Sequence, residues 1–125
     1  MKIAILNIYS GLVDRGAETV ADALASEWSN LSHEVHLISG GATNNKPYIQ
    51  DTIPTINAIS TDSTSIATKL KLHLGLPGEY ESMLIQFTVR AVDVLHNINP
   101  DVILLCNGYF QAKVLSQSQF KNISF

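Results

Sequence analysis

Residues 2–31 read KIAILNIYSGLVDRGAETVADALASEWSNL, and the change of period inside this stretch decides the fold. From Lys2 to Ile8 the chain is a short, nearly continuous run of Ile, Ala and Leu without a turn residue, the pattern of a strand covered on both faces. Tyr9 to Gly16 holds two glycines and reads as a loop. From Ala17 the residues Ala17, Val20, Ala21, Leu24, Ala25, Trp28 and Leu31 recur at helical spacing and predict one apolar stripe. The opposite face carries Glu18, Thr19, Asp22, Glu27 and Asn30, and Glu18 in the first turn complements the positive end of the helix dipole.

The same alternation continues outward. Ser32-His33 reads as a turn, residues 34–39 as a second strand, and residues 40–48 as a polar loop. Residues 55–60 alternate weakly and predict a third strand. Residues 62–75 fit either an extended connection or a short helix capped by Ser63 or Thr64 and ended by Gly75. Residues 79–97 predict an amphipathic helix whose stripe is Tyr80, Met83, Leu84, Phe87, Ala91, Val94, Leu95 and Ile98. Asn99-Pro100 stops it, because the residue before a proline avoids the helical region. Residues 101–106 then read as a buried strand, Asn107-Gly108 as a turn, residues 109–117 as a short helix, and residues 121–125 as the approach to another strand.

Buried strands alternating with amphipathic helices predict an α/β fold: a Rossmann-like parallel sheet with helices on both faces. Right-handed crossovers place the first strand centrally, the second and third on one side, and the Asp101 strand on the other. The first and the Asp101 strands then flank the topological switch point, where ligands of open α/β sheets bind beyond the carboxyl ends. That directs attention to residues 9–16 and 107–110.

Composition narrows the function. The 125 residues suit one compact domain, and 46% hydrophobic against 15% charged residues supplies a core and excludes intrinsic disorder. The net charge is −3 and the basic residues are scattered, which argues against nucleic-acid binding. No run of about 18 apolar residues exists to span a membrane. The opening run is broken at Asn7 and has no small-residue cleavage site, so it is not read as a signal peptide and the cytoplasm is the default location. Cys106, the single cysteine, sits in an apolar run and reads as a small buried hydrophobe rather than a nucleophile. The four histidines lie apart without metal-ligand spacing and read as surface or element-end residues. A nicotinamide cofactor is disfavoured: Gly11 and Gly16 have the wrong spacing for the dinucleotide fingerprint, and the second strand ends Leu37-Ile38-Ser39-Gly40 without an acid for a ribose hydroxyl.

Three stretches, taken together, resemble the family-4 glycosyltransferases of the GT-B fold. The opening strand followed by Arg15-Gly16-Ala17-Glu18-Thr19 is similar to that family's glycine loop and Gly-Ala-Glu helix start. Ser32-His33-Glu34-Val35 is similar to its Gly-His-Glu-Val turn, and Asn99-Pro100-Asp101-Val102-Ile103 to its Pro-Asp-Val-Ile strand. The likeness runs through the chain in outline and leaves residues 41–77 unmatched. It departs in having Arg15 in place of the first of two glycines, Ser32 in place of the turn glycine, and Cys106-Asn107 where a histidine is common.

The resemblance implies that residues 1–125 are the N-terminal, acceptor-side part of a two-domain enzyme. Such an enzyme moves a sugar from a nucleotide-sugar donor to a hydroxyl of a sugar or lipid-linked acceptor, with retention, without a bound metal or other cofactor. The implied second domain would hold most of the donor, so no turnover is expected from this chain alone. The alternative is a free-standing Rossmann-like or flavodoxin-like binding domain without catalysis. Substrate-binding candidates are Arg15, Gly16, Asn107, Gly108 and Tyr109, with no catalytic residue assigned. Each has two readings. Gly16 either admits a diphosphate to the free N–H groups of the helix start or only makes the turn. Arg15 pairs with an anion or is a solvated charge. Asn107 bonds an acceptor hydroxyl or caps the next helix, while Tyr109 packs on a sugar ring or is a surface aromatic. An exposed sheet edge would invite pairing with a second copy.

Overall fold

The computed structural model describes residues 1–12, 15–42, 45–53, 79–116 and 123–124. In chain order these form β1 (Lys2–Leu6), α1 (Gly16–Asn30), β2 (Glu34–Ser39), β3 (Ile49–Thr52), α2 (Glu79–Ile98), β4 (Val102–Leu105), α3 (Tyr109–Ser116) and β5 (Ile123–Ser124). All pairings are parallel, and the sheet order is β3-β2-β1-β4-β5. The chain is therefore an α/β protein with β1 central, as the alternation of periods predicts.

Residues of β1 divide between the two faces. Ala4 and Leu6, with Ile8 just beyond, join Ile38 and Ile103 under Leu84, Phe87, Ala91 and Leu95 of α2 and Leu115 of α3. Ile3 and Ile5, with Val35 and Leu37, lie under Ala21 and Ala25 of α1, flanked by Trp28 and Cys106. A strand buried on both faces has no position for a polar residue, which explains its unbroken apolar run.

Two features differ from the expected elements. The third strand is Ile49–Thr52, a half-exposed edge strand with the sequence IQDT. The expected strand at 55–60 and helix at 62–75 lie outside the described residues. The buried face of α1 is also turned from the expected stripe. Ala21 and Ala25 are buried, but Ala17 is exposed, Val20 is 57% exposed and Leu31 60%, whereas Glu18 is only 5% exposed. The reason is lateral packing by residues 46–48 on one flank of α1. Ser29 Oγ donates to the Pro47 carbonyl at 2.8 Å and Tyr48 OH to Asp22 Oδ1 at 2.6 Å, while Lys46 Nζ lies 3.0 Å from the same oxygen. The helix buries Glu18, Ala21 and Ala25, is flanked at Asp22 and Ser29 by these contacts, and leaves Val20 outside.

α1 ends in a Schellman arrangement. His33 N–H bonds the Trp28 carbonyl, and Ser32 N–H bonds the Ser29 carbonyl, with Ser32 at φ 71°. Asn99, at φ 53°, closes α2 with its N–H on the Leu95 carbonyl. At the amino ends of the strands, Lys2 and Asp101 exchange two hydrogen bonds of 2.8 Å, through Asp101 Oδ2 and the Lys2 carbonyl.

Candidate functional site

The carboxyl ends of β1, β2 and β4 meet at one rim, and backbone contacts fix the turns there. Between β1 and β2, Gly11 (φ 81°) and Gly41 lie backbone to backbone. A Cβ on Gly11 would fall 2.6 Å from the Gly41 carbonyl carbon and Ala42 nitrogen, a distance no side chain tolerates. Gly41 N–H bonds the Ser10 carbonyl at 3.2 Å, and Ser39 Oγ donates to the Gly41 carbonyl at 2.6 Å. Between β1 and β4, Cys106 N–H bonds the Leu6 carbonyl at 3.1 Å.

Asn107 completes this second junction. Its Oδ1 accepts the Ile8 N–H at 2.9 Å and a Gln111 Nε2 hydrogen at 3.3 Å, while its own N–H donates to Gln111 Oε1 at 3.1 Å. These bonds are not the expected helix cap, because Oδ1 takes the Gln111 side-chain amide and no backbone N–H of α3 among the described residues. Its amide oxygen ties the first strand's exit to α3. Gly108 follows at φ 87° with open space around it. The Tyr109 side chain lies outside the described residues.

The start of α1 stands beside this rim. Arg15 is the N-cap residue in extended conformation, and its side chain makes no capping hydrogen bond. Its guanidinium lies 4.7 Å from the centroid of the buried Tyr9 ring and 3.3 Å from Glu18 Oε1. Gly16 is exposed, with nothing within 4 Å of where a Cβ would stand. Arg15 and Gly16 thus lie together at the amino end of α1, and Asn107 and Gly108 lie across β1 from them. The residues between, Ile8 and Tyr9, are buried.

Three buried polar atoms near this rim lack a hydrogen-bond partner among the described residues: Asn7 Nδ2, Ser10 Oγ and Glu18 Oε2. Folded chains leave few such atoms, and each carries a desolvation cost of about 1–3 kcal/mol unless something satisfies it. Glu18 and Ser10 also line a cleft of about 540 Å³ on the β2–β3 side, with Gly11, Asp22, Lys46 and Gln50. Sequence reasoning assigned Glu18 only a dipole role; its burial follows from the rotation of α1, which sequence periodicity does not disclose.

The electrostatics separate reactive from inert groups. Burial, reinforced by the negative charge of Glu18, pushes the Cys106 thiol up to about 11, so it stays protonated and is no nucleophile. Burial alone would raise the Asp22 carboxyl, but the hydrogen bonds from Tyr48 and Lys46 outweigh it and hold Asp22 below its ordinary value. His36 departs from the surface role expected of it. It is buried in β2 with Nδ1 3.0 Å from Asp51 Oδ2 and Nε2 2.8 Å from Glu34 Oε1. Among the described residues, no cluster of three His, Cys, Asp or Glu side chains is placed to hold a metal ion, and no helix is long and apolar enough to cross a membrane.

The chain matches no protein-family model, and comparison with curated proteins gives no match.

Proposed function

We propose that the chain is the acceptor-side Rossmann-like domain of a GT-B-type glycosyltransferase, with its ligands at the carboxyl rim of the sheet. The observation that carries this reading is the grouping of Asn7 Nδ2, Ser10 Oγ and Glu18 Oε2, buried and unpartnered among the described residues, at the exit of β1 and the first turn of α1. Polar ligands of open α/β sheets bind at that position.

In this reading the amino end of α1 receives the donor's diphosphate. The side chain of its N-cap residue, Arg15, makes no capping hydrogen bond, and Gly16 lets a phosphate oxygen approach the backbone. Arg15, 53% exposed and stacked on Tyr9, adds a positive charge that a phosphate can share with Glu18. Asn107 holds the β1 exit in place, and Gly108 leaves space beside it. The sugar passes to a hydroxyl of a sugar or lipid-linked acceptor, with most donor contacts and the groups that assist transfer supplied from a second domain.

The test is turnover by the protein translated from the complete reading frame, measured as release of nucleoside diphosphate from a panel of sugar nucleotides with sugar acceptors. Gly16→Val, which has room for its side chain, should fold normally and lose most of the turnover. No turnover with any donor, or a Gly16→Val protein with unchanged kinetics, counts against the reading.

A further inference from the structure

The cleft between α1, the Ser10–Leu12 turn and β2–β3 is lined at one end by Glu18 and Thr19 of the first turn of α1, and its polar groups specify a ligand. Its volume, about 540 Å³, lies in the range of small-molecule sites. Four charges stand in or beside it, and each already has an opposite partner. Arg15 Nη2 lies 3.3 Å from Glu18 Oε1, and Lys46 Nζ lies 3.0 Å from Asp22 Oδ1. The formal sum is zero. A phosphate or an ammonium ion entering here would meet no uncompensated charge among these four groups.

Hydrogen-bond capacity is in surplus, however. Glu18 is 5% exposed and Ser10 6%, both line the cleft, and Glu18 Oε2 and Ser10 Oγ have no partner among the described residues. A carboxylate oxygen accepts only, and a serine hydroxyl both donates and accepts. The terminal torsion of a glutamate is broad, so a small turn of the carboxylate presents Oε2 to the cleft while Oε1 keeps Arg15. The wall formed by Leu12 and Leu37 is apolar and suits the face of a ring.

We infer that this cleft binds an uncharged ring bearing neighbouring hydroxyl groups, with Glu18 Oε2 accepting one hydroxyl and Ser10 Oγ bonding the next. The ring is either a free sugar or cyclitol or the ribose of a nucleoside. This deepens the transferase reading, which rests on the same Ser10 and Glu18 atoms, by naming the class of ligand that the cleft takes.

The experiment is an ¹⁵N–¹H shift titration of the 125-residue chain. The probes are methyl α-glucopyranoside, myo-inositol, adenosine and uridine, with inorganic phosphate and ethanolamine as charged controls. At ligand concentrations on the order of 10 mM, at least one hydroxylated probe should give saturable shifts at Ser10, Gly11, Glu18, Thr19 and Gln50. Saturation by the nucleosides alone identifies ribose as the source, and saturation by the glucoside or inositol identifies a free polyol. Glu18→Gln, checked for a native spectrum, should weaken binding at least about ten-fold, because a charge-assisted acceptor is lost. Ser10→Ala, which changes no charge, should weaken it about three- to ten-fold. Phosphate or ethanolamine shifting these residues more than every hydroxylated probe would overturn the inference, as would silence from all four probes or wild-type affinity in both variants. The transferase reading fails separately, on sugar-nucleotide turnover, and leaves this outcome untouched.

Discussion

Removing the Asn107 side chain should loosen the junction between β1 and β4 by an amount that can be worked out from its bonds. Asn107 Oδ1 accepts the Ile8 N–H at 2.9 Å, and Ile8 is fully buried, so Asn107→Ala strands a backbone donor away from water. An orphaned buried donor costs about 1–3 kcal/mol. The second bond, from the fully buried Gln111 Nε2, is longer at 3.3 Å, and its loss adds about 0.5–1 kcal/mol. The bond from Asn107 N–H to Gln111 Oε1 uses the backbone and survives. The expected loss is therefore about 1.5–4 kcal/mol, a large share of the stability of a small domain. Asn107→Asp keeps an acceptor for Ile8 and should lose clearly less. Urea denaturation followed by circular dichroism measures both variants, with an unchanged slope showing that only stability has moved. A loss below about 0.5 kcal/mol in the alanine variant would refute the structural role and leave Asn107 free to act as a ligand group.

Other substitutions probe other parts of the molecule. Ser32 occupies a left-handed position at φ 71° that a glycine adopts without strain, so Ser32→Gly should raise stability by about 0.5–1 kcal/mol in the same denaturation assay. Gly11→Ala places a Cβ 2.6 Å from the Gly41 backbone at φ 81°, and a loss of at least about 3 kcal/mol, or failure to accumulate as folded protein, is expected. Cys106, its thiol pushed up to about 11 by burial and by Glu18, should react with iodoacetamide far more slowly in the native chain at pH 8 than in urea; equal rates would contradict the burial. The hydrogen bond from His36 holds the exposed Glu34 carboxyl below its ordinary value. A carboxyl depressed in the folded state stabilises fully above its unfolded value and loses that contribution as the pH falls through the folded one. Glu34→Gln should therefore flatten the acid limb of a stability–pH curve below about pH 5, and an unchanged limb would contradict the role of this bond.

Much of the architecture was legible in the sequence because it rests on apolar patterning. The runs at Lys2–Leu6 and Val102–Leu105 allowed no position but the sheet interior, and the crossover rule supplied the order around them. The parts it missed are those where packing is lateral or polar. Ile49–Thr52 is an edge strand whose Gln50, Asp51 and Thr52 face water in part, so it leaves no apolar run to detect. The burial of Glu18 and the exposure of Val20 depend on residues 46–48 folding against α1, a contact between segments with no shared periodicity. His36 gained its partner Asp51 through strand register, which sets Asp51 opposite Ile38. Asn107 showed itself as a turn residue, but its bond to Ile8 spans 99 positions and belongs to the folded chain alone. Arg15 and Gly16 were located correctly at the start of α1 because a glycine between a buried strand and an amphipathic helix has few other places to be.

Amide shift mapping with UDP and GDP tests most directly whether polar ligands meet this protein at the carboxyl rim of its sheet. Perturbations should centre on Arg15, Gly16 and Ala17 and spread to Ser10 and Glu18. Perturbations centred on Met1, Lys2, Ser32, Asn99 and Asp101, which line the opposite end of the strands, would contradict it.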